Sequence, residues 1–223
     1  QGSGNGLLQA NEYVCVTAIR SPVTVNSGSI DFNDDTCLVA TDSPVVVNDG
    51  SVVFSATTLL NFTTPLTTLT INNGNFELYD TMQFLAAPGS SIDIFGGNFL
   101  VYDDVALDFD NVDTYVAGSA QFTDNAQFHT INSNVTINGG SFTTDLNVDI
   151  QFTDGFVSVI GGTFSTADDV SAQFFNNPLL VDGNVIFNGT ALSNHYFEDS
   201  PITLQGSGNG LLQANEFVCV TLI

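Results

Sequence analysis

A chain of 223 residues is long enough for one all-β domain, and 43% hydrophobic residues suffice for a continuous core, which excludes general disorder. Twenty-four Asp and Glu stand against a single basic residue, Arg20, for a net charge of −23; this excludes ordinary nucleic-acid binding and argues against docking on an anionic membrane surface. No apolar run reaches the roughly 18 residues of a membrane-spanning helix, so no membrane span is expected. Low charge density (11%) with abundant Thr, Asn, Ser and Gly points to an extracellular or cell-surface location. The opening QGSGNG, with neither a start Met nor a signal peptide, reads as a mature chain or a fragment.

Residues 1–19, QGSGNGLLQANEYVCVTAI, return at 205–223 as QGSGNGLLQANEFVCVTLI. Seventeen of 19 positions match, at an offset of 204; only Tyr13/Phe217 and Ala18/Leu222 differ. The expected organisation is one unit, 1–204, followed at 205–223 by the start of a near-identical one in a tandem array.

Within the unit, an apolar–x–apolar strand, a Gly turn and a second alternating strand recur in chain order. They read VTVNSGSIDF from Val23, VVVNDGSVVF from Val45, LTINNGNFEL from Leu69 and IDIFGGNFLV from Ile92. YVAGSAQF follows from Tyr115, VTINGGSFTT from Val135, VSVIGGTFST from Val157 and LLVDGNVIF from Leu179. The repeating glycines are Gly4, Gly28, Gly50, Gly74, Gly97, Gly118, Gly140, Gly162, Gly183 and Gly208, spaced 21 to 25 residues apart. Nine coils therefore fill the unit. Each has room for a third strand, such as TCLVA after SIDF, and alternation sends one face of every strand to a core. No stretch keeps a 3.6-residue period. The fold class is all-β: a parallel β-helix (β-solenoid) with three strands per coil and about nine coils per 204-residue unit.

The in-phase GGNF, GGSF and GGTF turns, with Asn26, Asn48, Asn72 and Asn138 before them, resemble right-handed β-helix proteins of the pectate-lyase-like and surface-adhesin kind. The resemblance is architectural: it implies the fold, its handedness and an extracellular habit, and no activity.

Two residues after the glycines, Ile30, Val52, Phe76, Phe99, Phe142, Phe164 and Val185 form an apolar core ladder. In the third strand Phe62, Phe84, Phe109, Phe128, Phe152, Phe174 and Phe197 recur once per coil and read as a column of offset-stacked rings. Cys15 and Cys37 lie 22 residues, one coil, apart in the third strand, close enough for a disulfide; Cys219 is Cys15 of the next unit. Asp34, Asp80, Asp103, Asp124 and Asp168 stand six residues after a coil glycine, three of them doubled as Asp34–Asp35, Asp103–Asp104 and Asp168–Asp169. Such a stripe suits a solvated acidic face or, with oxygen-only ligands, Ca²⁺, the one cofactor the sequence suggests.

Three functions follow. The first is a structural subunit of an extracellular tandem-repeat filament or stalk whose partner is itself, by end-to-end continuation and lateral bundling. The second is an adhesin shaft whose binding tip lies elsewhere. The third is a polysaccharide-degrading β-helix or phage tailspike. The last is weakest, because Arg20, His129 and His195 are the only groups able to carry positive charge beside the acids, and the two His fall three coils apart. The expectation is no enzyme. Sequons at Asn61, Asn134 and Asn188 bear on a eukaryotic secretory host alone.

Overall fold

A computed structural model describes residues 6–167, 169–189, 193–204, 210–215 and 218–222, with the backbone alone at 218 and 219. The described residues contain β-strands and turns and no helix. They wind into a parallel β-solenoid of three strands per coil.

The first ladder holds the short strands that precede the Gly turn, Val23–Val25, Val45–Val47, Thr68–Ile71 and their successors. The second holds those that follow it, from Leu7–Asn11 and Ser29–Asn33 onward. The third runs through ten strands from Cys15–Ile19 to Val218–Leu222. In Phe156–Thr166 and Leu179–Phe187 the strand continues through the glycine corner and joins the first two ladders into one sheet. All pairings are parallel.

Strand register identifies which glycines mark the coils. Leu7 pairs with Ser29, and the Ser29 N–H donates to the Gly6 carbonyl at 2.9 Å, so Gly6 stands beneath Gly28. Gly4, chosen from sequence, lies outside the described residues, as does Gly208; the pairing of Asn184 with Leu211 places Gly210 in that row. The row is glycine because the backbones nearly touch there. A Cβ on Gly97 would lie 2.2 Å from the Gly74 carbonyl oxygen and 2.6 Å from Ile71 Cγ2.

The three walls bury different side chains. The first ladder supplies an aliphatic face, with Val45, Leu69, Ile92, Val135, Val157 and Leu179 in one buried row. The second supplies the predicted Phe76, Phe99, Phe142 and Phe164, all buried. The same wall also carries Phe32, Phe54, Phe122 and Phe187 two residues further along their strands. Ala120 takes the slot in register with Phe99 and Phe142, and Phe122 fills the space beside it.

The third-ladder Phe residues are not one column, contrary to the sequence reading. Each strand has two inward slots. Leu60, Phe84, Leu107, Phe128 and Ile150 share one, and Phe62, Ala86, Phe109, Thr130 and Phe152 share the other. Every coil from Leu59 to Phe175 places one ring in one slot and a smaller side chain in the other. The rings therefore zigzag and meet edge to face: Phe62–Phe84 at 5.0 Å and 79°, Phe84–Phe109 at 5.3 Å and 81°. Phe174 and Phe197 share a slot and stack at 4.4 Å and 6°, while Phe152 and Phe174, also in one slot, tilt by 35° at 5.0 Å. Each buried ring contributes roughly 1.5–3 kcal/mol by transfer from water, and the alternation fills the core without overpacking.

Candidate functional site

The acidic stripe occupies the turn between the second and third strands, where the chain needs a left-handed residue. Asp34, Asp80, Asp103 and Asp124 have φ of 46°, 59°, 57° and 57°. Asp and Asn tolerate this region better than other side chains with a Cβ. Asp35 and Asp169 are also left-handed, at 55° and 57°; Asp168 lies outside the described residues. The turn conformation thus accounts for much of the stripe.

Its carboxylates engage the neighbouring coils. The Ala56 N–H donates to Asp80 Oδ2 at 2.9 Å, and the Asp80 N–H reaches Asp103 Oδ2 at 3.4 Å. The Asp35 N–H donates to Thr57 Oγ1 at 3.2 Å, while the Thr57 hydroxyl donates back to Asp35 Oδ1. Asn125 Nδ2 donates to Asp104 Oδ1 at 3.3 Å. Among the described residues no group of three or more Asp, Glu, His or Cys side chains converges as a metal would require, Asp34, Asp35, Asp103, Asp104 and Asp169 included.

At two described positions of this row another residue replaces Asp, although Asp145 stands one position before Leu146. Leu146 sits there at φ 54° with its side chain 46% exposed, and Ala56 at φ 58°. Leu146→Asn keeps the turn and removes a strained side chain. It is expected to stabilise the protein by about 0.5–1 kcal/mol, read as a higher urea midpoint at unchanged slope.

A second left-handed row, between the third and first strands, escaped the sequence reading. Arg20, Asp42, Asn111, Asn132, Asp154, Asn176 and Asp199 all have φ between 47° and 56°. Beside it, Ser43, Ser133 and Ser200 are buried, each hydroxyl donating to a carbonyl two residues back and accepting an N–H from the preceding coil. The signal was present as Ser-Pro or Asn-Pro at 21–22, 43–44, 177–178 and 200–201. An amide ladder links Asn26, Asn48 and Asn72 at the glycine corner, each Nδ2 donating to the preceding Oδ1 at 2.7 Å.

Cys15 and Cys37 are opposite one another in the third ladder, with Cα atoms 4.4 Å apart, and are joined as a disulfide on the outward face. Arg20 reaches Asp42 at 3.9 Å in the open.

The two His residues lie on opposite sides of the same wall. His129 points outward, with Nδ1 3.1 Å from Asp108 Oδ1 and Nε2 3.3 Å from Asp149 Oδ2. His195 points inward, 1% exposed, its ring stacked on Phe187 at 4.1 Å. Neither of its ring nitrogens has a hydrogen-bond partner among the described residues, and burial lowers its pKa to about 4. The geometry keeps it neutral and apart from His129. On the outer face Tyr79 stacks on Tyr102 at 4.7 Å and 5°; burial, then its hydrogen bond to Glu77, raises the Tyr79 pKa, and burial raises that of Tyr102. Asp93 is raised by burial as well, partly offset by the Ser91 hydroxyl.

The two ends are the other notable feature. Leu8 occupies the row of Ile30 and Val52 yet is 53% exposed, because none of the described residues lies beneath it. At the far end Leu212, its repeat counterpart, pairs with buried Val185 and is 36% exposed.

The architecture defines a parallel β-solenoid. Comparison with known proteins finds no family model, no curated sequence and no solved structure that matches the chain. Among the described residues no helix is long and apolar enough to cross a membrane.

Proposed function

We propose that this chain is a structural unit of an extracellular filament or stalk, in which 204-residue units follow one another as a single uninterrupted solenoid. The observation that carries the reading is the placement of the second copy. Leu211–Ala214 pairs with Asn184–Phe187, and Val218–Leu222 with Ser193–Phe197, as a tenth coil in the second and third ladders. Their counterparts, Leu7–Asn11 and Cys15–Ile19, pair on their other edge with Ser29–Asn33 and Cys37–Thr41. A strand has two edges, so one copy of this coil can hold both neighbours at once. The exposed Leu8 of one unit would then be covered as Leu212 is, by Val185 of the unit before it. Bare strand edges recruit strands, and continuation removes them.

The disulfide fits an oxidising compartment. A 204-residue unit holds 23 acids and one Arg, a charge of −22, over roughly 43 Å of axis at about 4.8 Å per coil. That is about one negative charge per 2 Å, comparable with duplex DNA, and it disfavours polyanionic partners such as nucleic acid while leaving self-association dependent on counterions. Imaging of the native material tests the reading. Filaments with an axial repeat of roughly 43 Å that bundle as Mg²⁺, Ca²⁺ or ionic strength rises support it. Discrete 24-kDa-sized particles with no axial period, indifferent to salt, reject it.

A further inference from the structure

Two tyrosines face each other on the outer surface of successive coils. Tyr79 follows Asn75–Leu78 and Tyr102 follows Asn98–Val101, strands that pair with Leu78 opposite Val101. The Tyr102 N–H donates to the Leu78 carbonyl at 2.9 Å, so the ladder register carries on to the two tyrosines. Their rings lie 4.7 Å apart and within 5° of parallel, and both are half-buried. The Tyr79 hydroxyl donates to Glu77 Oε2 at 2.7 Å, and the Ser51 hydroxyl donates to Glu77 Oε1 at 3.5 Å. Ser55 and Thr123 take the same position in the coils on either side, so the solenoid itself does not require a ring there. Among the described residues no other two tyrosines meet. Tyr115 packs on Phe95 and Tyr196 on Phe175, each at 5.6 Å, and Tyr13 is 84% exposed.

We propose that Tyr79 and Tyr102 are a modification site, at which a haem peroxidase with hydrogen peroxide couples the two rings into a dityrosine that staples two successive coils. The bond lies within one unit, so the inference does not rest on the filament reading. The sequence holds no Lys, which closes cross-links through a side-chain amine, and Cys15–Cys37 ties a different pair of coils.

Burial and then the Glu77 hydrogen bond raise the Tyr79 pKa, so its phenol is neutral and must lose a proton with its electron. Glu77 is placed to take that proton, and the Tyr102 proton goes to solvent. Each ring thereby becomes a phenoxyl radical with its unpaired electron spread over the oxygen and the Cε carbons. One Cε of Tyr79 joins one Cε of Tyr102. The hydrogens on those two carbons then move to the oxygens, which restores both phenols. The protein loses two hydrogen atoms in all, and one hydrogen peroxide takes them up as two waters. Holding the rings face to face makes the coupling a reaction between preset neighbours.

The test treats the whole 223-residue chain, kept dilute, with a haem peroxidase and hydrogen peroxide, once folded and once in urea that the peroxidase withstands and the chain does not. Dityrosine fluorescence of the monomer fraction and mass spectrometry of linked peptides, cut at acidic residues, read the outcome. In the folded chain the Tyr79–Tyr102 product, lighter by two hydrogens, should exceed every other tyrosine pair by about ten-fold or more, and the excess should vanish in urea. Tyr79→Phe keeps the stacked ring and should abolish the product, while Tyr196→Phe should leave its yield unchanged. Amide exchange in Asn75–Leu78 and Asn98–Val101 should slow once the bond is made. A folded chain that yields no Tyr79–Tyr102 product, the same excess from the unfolded chain, or a coupled product with unchanged exchange overturns the proposal.

Discussion

Phe142→Ala is expected to cost about 3–5 kcal/mol. Phe142 is fully buried and joins two ring systems: Phe122 at 4.9 Å and Phe164 at 5.4 Å in its own wall, and Phe128 at 5.4 Å across the core. No other side chain is placed to collapse into the space without leaving its own row, because each coil is held in register by three ladders. Solenoid coils touch only their neighbours, so the damage is local. Amide hydrogen exchange should quicken in Ser119–Phe122, Ser141–Thr144 and Gln127–Ile131 first, while the strands around Cys37 keep their protection. Uniform loss of protection along the chain would show that the coils unfold as one unit.

His195 gives the largest expected dependence on pH. In the unfolded chain its imidazole titrates near 6.5; in the fold, burial lowers this to about 4. The unfolded state therefore takes up the proton first. Stability contributed at this site is full above about pH 6.5, declines as pH falls through the interval to about 4, and levels off below it. The loss amounts to about 3 kcal/mol. Other groups add to the pH dependence of the whole protein, so the comparison is with His195→Leu, which suits a row that already holds Leu38, Leu60 and Leu107. The variant should be about 1–2 kcal/mol more stable at neutral pH, having lost two buried nitrogens without a partner among the described residues, and its stability should fall less between pH 6.5 and 4. Equal slopes for the two proteins would show that the ring is hydrated or paired in solution.

The sequence made the coil legible because the glycine corner tolerates no side chain and so repeats in phase. It did not distinguish Gly4 from Gly6, since QGSGNG offers three glycines and only the pairing of Leu7 with Ser29 chooses among them. The zigzag of Phe62, Phe84, Phe109 and Phe128 was hidden for a related reason. Alternation with period two gives each strand two inward slots, and a ring in either satisfies the pattern; the choice depends on volume in the adjacent coils. The Asp stripe after the second strand was visible as charge, but its cause is backbone conformation, which the equivalent positions Ala56 and Leu146 obscure. Cys15 and Cys37 could be related from spacing alone because one coil is one step of the ladder. The inward placement of His195 obeys the same alternation that buries Phe197, though the sequence reading did not draw it, and the lack of a partner for its ring among the described residues depends on the packing of Phe187 and the surrounding core.

Small-angle X-ray scattering of a chain of one unit against a chain of two tests most directly whether the second copy extends the same stack. A continuous solenoid gains roughly 43 Å in length per 204 residues, at about 4.8 Å per coil, with the radius of gyration of its cross-section unchanged. A second unit that folds back beside the first, or swings as a separate body on a linker, would thicken the cross-section or break the rod profile, and either result contradicts the account.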